Sequence, residues 1–289
     1  MNHAASLTRR DALRAAALGA LALPLLDARA LAAAAPAAAP APSPLRLGCA
    51  TYGQRAIAVD ELITALKALR LPHVAFFKAH LDLETATPEQ VGAVVAKCAA
   101  AGITITGTGV VAFKNNEAAC RKAFENARLA KLPTIVCKPD LNALPLVEKL
   151  AKEYDQRLAI HNHGPEDKVY PSPYDVMKAV TPLDARIGLC LDVGHAMRAN
   201  ADPAEAVRRC AARLYDVHLK DSNAIPGSDK DIPAEIGAGR MDVRGILRAL
   251  REIRYAGVAS LEYEKPTGNP ITGLAESLGY VRGLLAAMG

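Results

Sequence analysis

Four segments of the chain close on residues able to hold a cation or move a proton. They are Ile160-His161-Asn162-His163-Gly164, Leu191-Asp192-Val193-Gly194-His195, Val217-His218-Leu219-Lys220-Asp221 and Leu261-Glu262-Tyr263-Glu264-Lys265. Four of the seven histidines of the chain fall in three of these segments, a clustering that scattered core imidazoles would not produce. Each segment ends an apolar run that reads as a β-strand. Residues two apart on a strand project from the same face. His161 with His163, His218 with Lys220, and Glu262 with Glu264 can therefore turn inward in pairs. A lone strand-end His is more often a hydrogen-bonded structural residue, but four chemistry-bearing ends in register are a different matter. One imidazole of the first segment (His161 or His163), Asp192, His218 and Glu262 form a mixed nitrogen and oxygen donor set. Such a set suits one divalent ion, Mn²⁺, Co²⁺, Zn²⁺ or Mg²⁺, with positions left open for substrate.

The elements that must position these residues alternate along the chain. Strands are predicted at Leu45–Tyr52, His73–Lys78, Ile103–Val111, Thr134–Lys138, Arg157–His163, Ile187–Val193, Leu214–Lys220 and Val258–Glu264. Helices are predicted at Asp60–Arg70, Pro88–Ala101, Asn116–Lys131, Leu141–Asp155, Pro173–Val180, Asp202–Ala212, Val243–Tyr255 and Thr272–Met288. Continuous apolar strands imply burial on both faces and hence a parallel sheet. Thr87-Pro88, Ser172-Pro173 and Asp202-Pro203 are helix-start signals, and Gly102 and Gly257 mark helix-to-strand turns. Eight βα units over residues 45–289 predict a single-domain α/β fold, a (β/α)8 TIM barrel, with its chemistry at the C-terminal strand ends. An open doubly wound sheet would need a glycine-rich phosphate turn after the first strand, and Gly48-Cys49-Ala50-Thr51-Tyr52-Gly53 is not one.

Residues 1–32 read as a twin-arginine export signal. Arg9-Arg10 precedes an apolar run, Ala15 to Leu26, that is too short to span a bilayer comfortably, and small-x-small cleavage sites follow. Residues 33–44 read as an Ala/Pro-rich tether. The expectation is an exported, periplasmic protein with the twin-arginine translocation machinery as a partner and no stable membrane span. The six cysteines sit in apolar strand-like or helical contexts without a CxxC pair, which predicts buried thiols rather than disulfides. The formal charge of the whole 289-residue chain is +5 and there is no Trp, which argues against a nucleic-acid surface. Homo-oligomerisation is compatible with the sequence.

The segments His161-Asn162-His163, Leu191–His195, His218–Asp221, Glu235-Ile236-Gly237-Ala238-Gly239 and Leu261–Glu264 resemble those of the xylose isomerase-like TIM barrels. Among these, the chain is similar to the exported sugar phosphate isomerase/epimerase group over roughly residues 45–287. The resemblance implies one divalent metal, with Asp192, His218 and Glu262 as ligands from strands 6, 7 and 8. His161 stands where the family usually carries Glu on strand 5. His195 matches a residue that contacts substrate or metal, and Lys220 one that reaches into the mouth. Family epimerases oppose the strand-5 and strand-8 carboxylates as two acid/bases, and here one of that pair is an imidazole.

The resulting expectation is a metal-dependent isomerase or epimerase acting on a keto-sugar or related polyol through an enediolate. Glu262 is the base, Lys220 an electrostatic stabiliser, and His161 a catalytic group as well as a ligand. His163, His195, Glu264, Lys78, His80 and Lys138 are expected to bind a small-molecule sugar. A lyase or hydratase acting on 3-keto-glycosides is the alternative, and a non-catalytic sugar-binding barrel a third. Phosphodiester hydrolysis is disfavoured because strand 3 ends in Gly107-Thr108-Gly109-Val110-Val111, without a ligand for a second or third metal.

Overall fold

Short runs rich in Val, Ile, Leu and Cys build eight strands: β1 (Arg46–Ala50), β2 (His73–Phe76), β3 (Thr104–Thr108), β4 (Thr134–Cys137), β5 (Arg157–His161), β6 (Ile187–Asp192), β7 (Leu214–Leu219) and β8 (Val258–Leu261). The computed structural model describes residues 44–289. The export signal at 1–32 and, Pro44 apart, the tether at 33–44 lie outside the described residues. The strands pair in parallel in the order β3-β2-β1-β8-β7-β6-β5-β4. The seam between β3 and β4 is joined just past β3, where the Val111 N–H donates to the Val136 carbonyl (3.0 Å) and the Lys138 N–H to the Val111 carbonyl (2.9 Å). The result is a nearly closed (β/α)8 barrel.

Helices α1 (Val59–Ala68), α2 (Pro88–Ala100), α3 (Glu117–Leu129), α4 (Leu144–Glu153), α5 (Pro173–Val180), α6 (Val193–Arg198), α7 (Pro203–Arg209), α8 (Val243–Glu252) and α9 (Pro270–Ala287) cover the sheet. Their starts follow the capping logic of the sequence. Thr87 and Gln90 exchange side-chain and backbone hydrogen bonds ahead of α2, Ser172 accepts the Asp175 N–H at α5, and Asp202 accepts the Glu205 N–H at α7. Helix α8 buries Val243, Ile246, Leu247 and Leu250, a spacing that lays one stripe on the sheet.

Alternation along the strands separates two cores. Ile135, Cys137, Leu158, Ile160, Leu189 and Leu191 join the large core between sheet and helices. The residues between them, Val136, Ala159 and Cys190, form a separate small cluster. By the period-two rule this second set fills the barrel interior. The same parity points His161, Asp192, Asp216, His218 and Ser260 inward. In register, Asp192 lies beside His218, and Ser260 beside His218 on the opposite flank. A register shift between Leu189 and Cys190 of β6 precedes the Asp192–His218 pairing.

The strands stop short of the predicted limits: β3 at Thr108 rather than Val111, β5 at His161 rather than His163, and β8 at Leu261 rather than Glu264. The chain turns off the ladder where polar side chains enter the mouth. Two elements are additional to the sequence reading. Helix α6 springs directly from β6, capped by Asp192, whose Oδ1 accepts the His195 N–H (2.8 Å). A small antiparallel ribbon pairs Asp221–Ser222 with Pro233–Ala234. All six cysteines are free and buried, as the sequence predicts.

Candidate active site

The ends of β5 to β8 place His161, Asp192, His218 and Glu262 around one point. One ligand atom from each lies within 4.8 Å of the others, and all four side chains are buried. His161 Nε2 is 3.5 Å from Asp192 Oδ2, and His218 Nδ1 is 3.2 Å from Glu262 Oε2. Asn162 clips β5 to β6: its Nδ2 donates to the Asp192 carbonyl (3.0 Å), and the Asp192 N–H donates to its Oδ1 (2.9 Å). This two-way bond fixes the height of Asp192 relative to His161. The β8 end is fixed in the same way, since the Glu262 N–H donates to the Leu219 carbonyl (2.8 Å).

Lys220 is 4% exposed and its ammonium is held by three carboxylates. Asp192 Oδ2 is 2.8 Å away, Glu262 Oε2 3.0 Å and Glu264 Oε2 3.0 Å. Asp192 Oδ2 nevertheless lies outside hydrogen-bond geometry, as do the buried nitrogens His161 Nδ1 and His218 Nε2. Two imidazoles and two carboxylates at this spacing, with two buried imidazole nitrogens left without a hydrogen-bond partner, fit one divalent cation. Cys190 Sγ also lies within 4.8 Å of ligand nitrogens of His161 and His218. Burial pushes its thiol up to about 12, so near neutrality the set is one of nitrogen and oxygen.

Burial and neighbours pull the acids apart. Burial works against the charge of Glu262, but the Lys220 ammonium and His218 hold it well below the usual carboxylate range. Asp192 is held low against the same burial by the His195 and Lys220 beside it. Burial, helped by the charges of Glu262 and Asp192, pushes Glu264 up to about 7. Burial lowers His161 and His163 to about 4, which keeps both imidazoles neutral and available as donors of a lone pair.

Above this cluster opens a cavity of about 570 Å³. His163, His195, Lys220 and Glu264 line it together with the donor residues His161, His218 and Glu262. Three sequence-expected substrate contacts lie elsewhere. His80 is buried with both ring nitrogens engaged, by Thr51 Oγ1 (2.9 Å) and the Ile57 carbonyl (3.0 Å), so it braces the loop after β2. Lys138 pairs with Asp167, and Lys78 is exposed outside the cavity. Strand-end position suggested all three; none lines the cavity, although the Asp167 carboxylate that holds Lys138 lies 3.9 Å from His163 Nδ1.

The cavity also recruits residues that the motifs do not name. Tyr52 and Phe77 pack edge to face with centroids 4.9 Å apart, and the Arg55 guanidinium lies 4.4 Å above the Tyr52 ring. Arg198 and Glu166 line the far wall. For Arg198 the available signal is its place three residues after His195, one helical turn on. Glu166 sits in a loop and carries no such signal.

The motif Glu235–Gly239 acts through the loop after β7 and not through the donor cluster. The buried Asp221 carboxylate accepts the N–H groups of Gly237 (2.9 Å), Gly239 (3.1 Å) and Met241 (3.1 Å). A Cβ at position 239 would lie 2.1 Å from Asp221 Oδ1, so this close approach requires glycine. Glu235 in turn holds the Tyr263 hydroxyl (2.9 Å) and the Lys265 ammonium (3.0 Å), which ties the loop to the β8 end.

Residues 142–284 match the family model described as xylose isomerase-like TIM barrel. An uncharacterized protein of Methanocaldococcus jannaschii is 29% identical over 128 residues, 43% of this chain and 42% of that protein. A probable endonuclease 4 of Mycobacterium ulcerans is 38% identical over 71 residues, 24% of this chain and 28% of that protein. The matches thus span less than half the length of these curated relatives. Among solved structures, D-psicose 3-epimerase of Clostridium cellulolyticum H10 superposes with a TM-score of 0.68 at 15% identity, covering 83% of this chain and 99% of that one.

Proposed function

The chain belongs to the xylose isomerase-like TIM barrels, and from that premise we propose that it is a divalent-metal-dependent isomerase or epimerase acting on a keto-sugar or related polyol. The observation that carries the reading is the convergence of His161, Asp192, His218 and Glu262 within 4.8 Å beneath an open cavity. These four residues would hold Mn²⁺, Co²⁺, Zn²⁺ or Mg²⁺. When bound, such an ion polarises a hydroxyl and neighbouring carbonyl and eases loss of the α C–H proton.

The chain's own groups divide the remaining work. Glu262, kept ionised by Lys220 and His218, is the base that takes the proton. Lys220 faces the same carboxylate and stabilises the oxyanion that develops on the substrate, a preorganised contribution of several kcal/mol in such settings. His163 donates from Nδ1 to the His161 carbonyl (3.0 Å). In the neutral ring this leaves the Nε2 lone pair free to accept and return a proton. Glu264, 3.0 Å from Lys220, fixes the ammonium.

A second reading follows from His161. With an imidazole in place of a second opposed carboxylate, one base and one imidazole acid serve β-elimination or hydration of a 3-keto-glycoside as readily as epimerisation. The discriminating experiment is NMR of a panel of keto-sugars and 3-keto-glycosides incubated in D₂O with added Mn²⁺. Deuterium at carbon without cleavage supports the isomerase, and release of an aglycone supports the lyase. Absence of both, with the metal bound, leaves the sugar-binding barrel.

The twin-arginine segment carries a separate proposal, export to the periplasm. Replacing Arg9 and Arg10 by Lys should retain the chain in the cytoplasmic fraction, and unchanged export would overturn it.

A further inference from the structure

Arg198 is 1% exposed, although it lies on a mouth helix. Its guanidinium grips Glu166 of the β5–α5 loop with two prongs, Nη2 to Oε1 at 2.6 Å and Nη1 to Oε2 at 3.0 Å. Nη1 also donates to the carbonyls of Asp229 (3.0 Å) and Ser228 (3.4 Å) in the β7–α8 loop. The Gly227 N–H of that loop donates back to the Arg198 carbonyl (2.9 Å). Gly164 (φ +89°) leaves room for this arrangement, since a Cβ there would lie 2.6 Å from Arg198 Nη2. Three segments of the mouth therefore meet on one buried cation.

The remaining contact bears on the chemistry. Arg198 Nη2 is 2.7 Å from His195 Nδ1. A guanidinium offers only donors and does not lose its proton, so Nδ1 must be the acceptor. The neutral ring then carries its hydrogen on Nε2. That nitrogen faces the donor cluster, 4.0 Å from Asp192 Oδ2, while His195 lines the cavity. His163, whose Nδ1 is bonded to a carbonyl, presents the opposite tautomer, and the two rings stack with centroids 6.0 Å apart.

We propose that Arg198 is a positioning residue that locks His195 in its Nε2–H tautomer, making His195 a hydrogen-bond donor to a substrate oxygen and excluding it as a base or a metal ligand. The site then pairs a donor imidazole, His195, with an acceptor imidazole, His163, across one face of the cavity. Only the identity of the oxygen rests on the sugar-isomerase reading; the tautomer does not. A mere staple of loops would be satisfied by Glu166 and the two carbonyls and would set no constraint on His195.

The test is long-range ¹H–¹⁵N NMR of histidine-labelled, metal-free full-length protein, with the His195 signals assigned from His195→Gln. The wild type is expected to show a pyridine-like Nδ1 and a pyrrole-like Nε2 at His195. Arg198→Lys, which keeps a cationic donor, should preserve that pattern, and Arg198→Met should abolish it. Glu166→Gln weakens the loop tie but spares the Nη2–Nδ1 contact, so it should leave the tautomer unchanged. A pyrrole-like Nδ1 in the wild type, or a tautomer that follows Glu166 and ignores Arg198, overturns the proposal. These signals are read without substrate or metal, so failure of the sugar panel would not register in them.

Discussion

Lys220 Nζ stands 2.8 Å from Asp192 Oδ2, on the same carboxylate that faces the donor cluster. A divalent ion held by Asp192 and Glu262 would thus sit beside a buried ammonium. Two unit charges about 4 Å apart repel by roughly 4 kcal/mol at an effective dielectric of 20, and a divalent ion about doubles that, although adjustment of the long side chain relieves part of it. Lys220→Met should therefore bind Mn²⁺ at least about tenfold more tightly in titration calorimetry while losing turnover. Weaker Mn²⁺ binding would mean that Lys220 chiefly arranges the carboxylates.

Asn162 is fully buried, and its side-chain amide bonds only the backbone of Asp192. Asn162→Ala removes both bonds of the β5–β6 clip and strands the Asp192 N–H and carbonyl. Supports of this kind are typically worth 10- to 100-fold in metal affinity, and stranded buried groups cost about 1–3 kcal/mol each. The expected result is a lower thermal midpoint together with a Mn²⁺ Kd raised by about tenfold or more. Asp192→Asn keeps an acceptor for the His195 N–H, so it should abolish metal binding with little loss of fold.

Asp221 holds three loop N–H groups with one carboxylate. Asp221→Ala should cost about 3 kcal/mol, since each bond to a charged group contributes roughly 1.5–3 kcal/mol and the loop relaxes in part. Denaturant titration checks the stability, and limited proteolysis should find new cleavage between Glu235 and Met241.

Asp216 lies in the barrel interior without an ion-pair partner among the described residues, and burial pushes its carboxyl up to about 6. The folded chain therefore binds more protons than the unfolded chain between about pH 4 and 6, and stability falls as pH rises through that window. Asp216→Asn should stabilise the protein by on the order of 2 kcal/mol at pH 8 and by nothing measurable below pH 4. Denaturant titrations at the two pH values compare the gains, and an equal gain at both would show that charge is not the cause.

Patterning carried the barrel. Strands such as Ile187–Asp192 are apolar on both faces, and signals such as Thr87-Pro88 are local, so both can be read without tertiary information. The donor cluster was legible for the same reason, because strand parity fixes which of His161, Asp192 and His218 turn inward. Lys78, His80 and Lys138, which do not line the cavity, follow strands 2 and 4, where loop geometry decides direction. Helix α6 and the Asp221–Ala234 ribbon are too short to leave a periodic signature. Arg198 escaped notice because most of its partners come from two separate loops, which no spacing within one segment encodes.

The seam between β3 and β4 has a consequence for how the molecule breathes. Seven interfaces of the cylinder are strand-to-strand ladders, whereas the eighth is closed only past the end of β3, by the two Val111 bonds and by the Asp140 N–H to the Phe113 carbonyl (2.9 Å). Local opening follows the thinnest fastening, so the Val111 and Lys138 amides should exchange with solvent deuterium well before those of β6 and β7. Strands β5 to β8, which carry the donor cluster, are contiguous and paired along their length, with one register shift between Leu189 and Cys190 of β6. The rim would therefore part at the seam before the four-residue donor cluster lost its shape.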